Sequence, residues 1–95
     1  MTAPTPCYLV EWYHSAIAEE PLDDTAARLK DSAVLMSEQG SAVRLLNLLA
    51  VPTDEVLFAV FTADSASVVA ETCDHAGIPA QRVSTATEVD LLGTK

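Results

Sequence analysis

The sequence predicts an α+β sandwich, a four-stranded antiparallel sheet carrying two helices on one face. Three observations predict it. An apolar stripe at helical spacing lies between two strand-like runs. Two further apolar runs, AVRLLNLLAV and EVLFAVFT, are joined by a short turn and read as a hairpin. A second helix, closed by Gly77 and Pro79, then leads into a last strand. The order is strand, helix, strand, strand, helix, strand.

Each element has its own signal. Pro4 and Pro6 make residues 1–6 an arm, because proline cannot donate to a ladder. Cys7 to Tyr13 reads as the first strand, rich in β-branched and aromatic residues. Alternation places Tyr8, Val10 and Trp12 on one face, and Cys7, Leu9, Glu11 and Tyr13 on the other. His14 to Pro21 is a loop. Asp23 to Glu38 is the clearest helix, with Leu22, Ala26, Leu29, Ala33 and Met36 as its stripe. Glu19, Glu20, Asp23 and Asp24 suit the positive end of its dipole, and Gly40 is placed to close it.

Ala42 to Val51 is the second strand and Glu55 to Thr62 the third, with Pro52, Thr53 and Asp54 as the turn. Asp64 or Ser65 can cap the second helix, whose inner side is Ala66, Val69, Ala70, Cys73 and Ala76. Arg82 to Glu88 is the fourth strand. One ferredoxin-like βαββαβ domain over residues 7–89 accounts for the chain, with residues 90–95 as a tail.

Simple alternation would put Leu45 and Leu49 on one face of the second strand and Leu46 and Leu48 on the other. In the third it opposes Phe58 and Val60 to Leu57 and Phe61. An antiparallel sheet with one wet face should alternate apolar and polar. Both faces of these strands are apolar, so the face away from the helices is expected to be covered. Two sheets stacked about a twofold, as in a dimeric α+β barrel, would cover it.

Composition narrows the function classes. Of the 95 residues, 49% are hydrophobic and 20% charged, enough apolar material for one domain's core. There are 14 acidic and 5 basic residues, for a net charge of -9, and the basic ones are scattered. That balance argues against nucleic acid and anionic membrane as partners. The chain opens without a basic, apolar leader, and no apolar run is long enough to cross a bilayer. The expectation is a cytoplasmic protein in which Cys7 and Cys73 are reduced thiols.

Glu11 is the first candidate site residue, a carboxylate inside an otherwise apolar strand, where burial demands a partner. Facing the helices, it would line a cavity between sheet and helices. Pairing with Arg44 or Arg82 is the structural alternative. Tyr13 and Asn47 are further candidate pocket residues; Asn47 could orient a ligand in a cavity, or make a structural hydrogen bond to a neighbour or across the dimer. His14, next to Glu11 and Tyr13, is a candidate metal ligand or acid–base group. Trp12, Phe58 and Phe61 read as core, with the lining of an apolar pocket as the alternative. Cys73, Asp74 and His75 are consecutive, so a helix turns them apart and they form no metal motif. Arg82 reads as structural, seating the following turn or pairing a carboxylate.

Three segments carry a family resemblance: YLVEWY at Tyr8 to Tyr13, TDEVLFAVF at Thr53 to Phe61, and AGIPAQRV at Ala76 to Val83. Over Tyr8 to Val89 the chain resembles a family of small bacterial ferredoxin-like proteins that includes a nickel-binding protein. The resemblance implies the same fold, a homodimer and a nickel or other divalent-metal site. His14 and Glu11 are the residues this chain could offer to it. The alternative expectation is a dimeric α+β barrel that holds or transforms an apolar ligand, monooxygenase- or isomerase-like, through a buried carboxylate.

Overall fold

The computed structural model describes residues 7–13 and 21–87. The arm, the loop with Glu19, Glu20 and His14, and the tail lie outside the described residues. Strands β1 (Cys7–Trp12), β2 (Val43–Val51), β3 (Val56–Ala63) and β4 (Arg82–Ala86) form one sheet in the order β2-β3-β1-β4. Every neighbouring pair is antiparallel. Helix α1 (Leu22–Glu38) follows β1, and α2 (Ala66–His75) follows β3. Among the described residues, no helix is long and apolar enough to cross a membrane.

The core lies between helices and sheet. Val10, Trp12 and Phe61 from the strands meet Leu29, Val69 and Cys73 from the helices, all fully buried. Truncating such a residue, for example Leu29→Ala, costs about 2–5 kcal/mol. The helices sit slightly rotated from the stripes read in the sequence. Thr25 and Ser32 turn inward on α1, whereas Leu22 stays exposed. On α2, Thr72 is buried and Ala66 exposed. The reason is hydrogen bonding between and within helices. Ser32 Oγ donates to the Thr72 carbonyl at 2.6 Å, and Thr72 Oγ1 to the Val68 carbonyl at 2.8 Å. Small hydroxyl residues with satisfied bonds let the helices approach closely.

The ends follow simple chemistry. Ser65 Oγ accepts from the Val68 N–H at 3.3 Å, capping α2. Gly77, at φ +80°, ends it, and the Ile78 N–H reaches back to the Cys73 carbonyl at 3.0 Å. Pro52–Asp54 form one 3-10 turn, closed by Glu55 in the left-handed region. No disulfide joins the buried Cys7 and Cys73.

Strand β2 corrects the simple alternation. Its register with β3 runs Leu45 opposite Phe61, then Asn47 opposite Val60, so Leu46 is an extra residue in a β-bulge. The bulge puts Leu45 and Leu48 together on the helix side and sends Asn47 and Leu49 to the other face. The run looks apolar on both faces partly because one residue interrupts its period.

Candidate functional site

The sheet face turned away from the helices is built in rows, because directly opposed residues of antiparallel strands share a face. One row reads Arg82, Glu11, Phe58, Leu49 across β4, β1, β3 and β2. The next reads Ser84, Leu9, Val60, Asn47. A third reads Ala86, Cys7, Thr62, Arg44. Leu9, Phe58 and Val60 give this face an apolar middle, and Leu49, at 58% exposure, extends it toward the edge.

Glu11 therefore points to the open face, not into a cavity beneath the helices. Its carboxylate lies 3.9 Å from Arg82 Nε, with the Glu11 side chain 13% exposed and that of Arg82 66%. A pair with one partner so exposed contributes at most about 1 kcal/mol. Tyr13 Oη donates a hydrogen bond to the other Glu11 oxygen. That bond raises the phenol's pKa, with smaller contributions from desolvation and the neighbouring carboxylate charge. The Tyr13 N–H donates to the Gln81 side-chain oxygen, and the Gln81 N–H donates to the Glu11 carbonyl at 3.2 Å. Glu11, Tyr13, Gln81 and Arg82 thus form one polar cluster at the end of an apolar face.

The segment after α2 is held by two side chains that composition and spacing do not single out. Trp12 Nε1 donates to the carbonyls of Ile78 and Pro79, at 3.1 and 3.0 Å. Arg28 Nη2 and Nε donate to the Ala76 carbonyl, at 2.7 and 3.2 Å. Trp12 and Arg28, rather than Arg82, seat the GIPA turn. The turn in turn delivers Gln81 and Arg82 to Glu11. A fully buried tryptophan beside a turn full of carbonyls was the signal for it, since a buried indole N–H needs an acceptor.

Of the expected site residues, the structure brings Glu11 and Tyr13 together. Asn47 shares their face but stands exposed on β2, two strands from Glu11 and in the neighbouring row. His14 lies outside the described residues. Nickel binding calls for several imidazole, carboxylate or thiolate donors together. Among the described residues, no three His, Cys, Asp or Glu side chains gather to hold a metal. The described donors alone do not fit nickel, because Glu11 stands without a second donor and faces Arg82 and Tyr13. Cys73 is buried in the core, where desolvation pushes its thiol up to about 12, so it is no ready nucleophile.

No protein-family model and no curated protein matches this chain. Among solved structures, the crystal structure of SCO4226 from Streptomyces coelicolor A3(2) matches with a TM-score of 0.65 and 13% identity. The match covers 88% of this chain and 99% of that one. At that identity the likeness speaks to fold alone, and it agrees with the strand order and helix placement above: this is a ferredoxin-like βαββαβ domain.

Proposed function

We propose that this chain is a homodimeric binding protein for a small apolar molecule bearing one polar group. Two copies stack their open sheet faces about a twofold and enclose the ligand between Leu9, Phe58 and Val60. The Glu11–Tyr13–Arg82 cluster orients its polar end. The observation that supports this reading best is Glu11 itself, a mostly buried carboxylate at the border of an apolar sheet face. An exposed apolar face of this kind marks an interaction surface. A few polar groups at the end of an apolar lining are the usual composition of a ligand site.

The test combines assembly and binding. Light scattering after gel filtration is expected to give twice the chain mass for the natural protein and the single-chain mass for Val60→Glu. Val60 sits on a central strand and faces away from the helices, so the charge leaves the core intact. A thermal-shift screen of apolar alcohols, ketones and amides is expected to find ligands that stabilise the dimer and lose that effect in Glu11→Gln. A monomeric natural protein would refute the dimer. Ligands that stabilise Glu11→Gln equally well would remove Glu11 from the site.

A further inference from the structure

The ion pair inside the Glu11 cluster is open by a definite amount. Arg82 Nε stands 3.9 Å from Glu11 Oε2, beyond the reach of a direct hydrogen bond. The other carboxylate oxygen, Oε1, already accepts from the Tyr13 hydroxyl. Among the described residues, Oε2 accepts no hydrogen bond. A carboxylate on a side chain only 13% exposed therefore keeps one oxygen for a donor from outside the chain. The guanidinium beside it has five N–H groups, so it has donors to spare. A single oxygen spans a gap of 3.9 Å between such groups. It would sit about 2.7 Å from the carboxylate and about 2.9 Å from the guanidinium.

The strand register sets what lies beside the pair. Phe58 stands directly opposite Glu11 on the side away from Arg82. Leu9 is two residues back on the same face of β1, opposite Val60. An apolar body lying on these three residues ends at the ion pair. Head-group chemistry then discriminates. A hydroxyl donates to Oε2 and accepts from the guanidinium through one atom, so it answers both groups. A ketone accepts from Arg82 but leaves Oε2 without a donor. A carboxylate meets the like charge of Glu11. An ammonium donates to Oε2 but cannot accept from Arg82, whose charge repels it. Arg82 already offsets Glu11, so neither ionic head finds a net counter-charge to offset its own desolvation.

We infer that the occupant of this face is an apolar alcohol, its chain on Leu9, Phe58 and Val60 and its hydroxyl bridging Glu11 Oε2 and Arg82. This rests on the ligand-binding reading above and names the polar group which that reading leaves open. The experiment is a titration of the isotope-labelled natural protein, followed by amide chemical shifts, with octanol, octanone, octanoate and octylammonium as probes of equal chain length. Octanol is expected to give saturable shifts at Leu9, Phe58 and Val60. Each of the other probes should bind at least about tenfold more weakly, or about 1.4 kcal/mol, the scale of one hydrogen bond to a charged group. In Glu11→Gln the Tyr13 hydroxyl can hold the amide oxygen, and the open acceptor becomes a donor. The ratio of octanol to octanone affinity should then fall close to unity. Equal binding of octanone to the natural protein, preference for an ionic probe, or an unchanged ratio in Glu11→Gln would each overturn the hydroxyl assignment and leave the ligand-binding reading standing. Octanol shifts confined to residues outside this face would overturn the assignment as well. Saturation by none of the probes would take the ligand-binding reading down with it.

Discussion

Trp12→Phe separates packing from hydrogen bonding at the joint between core and site. The indole is fully buried, and its one N–H serves both the Ile78 and Pro79 carbonyls. Phenylalanine keeps most of the ring volume and removes that donor. A buried carbonyl left without a partner costs about 1–3 kcal/mol. The void left by the smaller ring adds about 1 kcal/mol. The expected loss is therefore roughly 2–4 kcal/mol, a large part of the 5–15 kcal/mol typical of such domains. Urea unfolding followed by far-ultraviolet circular dichroism measures it, since the variant lacks the only tryptophan. Arg28→Ala releases the same turn from its other side, at the Ala76 carbonyl. Two clamps on one short turn should be coupled by about 0.5 kcal/mol or more in a double-mutant cycle. A loss below about 1 kcal/mol for Trp12→Phe, on the scale of an ordinary net hydrogen bond, would refute the argument that the indole is what satisfies these carbonyls.

Gly77→Ala forces a side chain into a backbone at φ +80° and sets its Cβ 2.9 Å from Arg28 Nη2. The strain and the displaced guanidinium together should cost about 2 kcal/mol, read as a lower urea midpoint. Cys73 makes stability fall at high pH. Below its ordinary value of 9.0 the thiol is neutral in both states; above it the unfolded thiol ionises while the buried one holds its proton to about 12. Unfolding then releases a proton, and stability falls by up to about 1.4 kcal/mol per pH unit across that window. Urea titrations between those values should show this extra slope in the natural protein and not in Cys73→Ala. Arg82→Ala removes an exposed cation from Glu11 and is expected to cost less than about 1 kcal/mol in stability. It should still disturb the amide shifts of Glu11 and Tyr13.

The order of elements was legible because each boundary carries its own chemistry. Ser65 announces α2 by the side-chain bond it makes, and Gly77 with Pro79 closes it. The two apolar runs around Pro52–Asp54 fall on β2 and β3 to within a residue at either end. Which residues of β1 and β3 share a face followed from period two alone, though not which face is inward. The rotation of α1 did not, because Thr25 and Ser32 are polar and become good core residues only once their hydroxyls find acceptors. Glu11 was legible as an anomaly, but not its direction. That depends on which sheet face the helices cover, a choice made by tertiary packing. Its partner depends on β4 lying beside β1, which places Arg82 opposite it from 71 residues away. Asn47 was legible as a polar break in an apolar strand, but its distance from Glu11 was not, because spacing within a strand says nothing about which strands lie between.

The bulge at Leu46 also sets where this protein can change length. Everywhere else in β2, removing one residue would exchange inside for outside along the remainder of the strand. At Leu46 the deletion does the reverse. Val43, Leu45, Leu48 and Ala50 would still meet the helices, and Arg44, Asn47, Leu49 and Val51 would still face away, now in unbroken alternation. Leu46 is a removable stitch in the strand. The shortened chain should keep its core while its edge, straightened, becomes a longer continuous template for another strand.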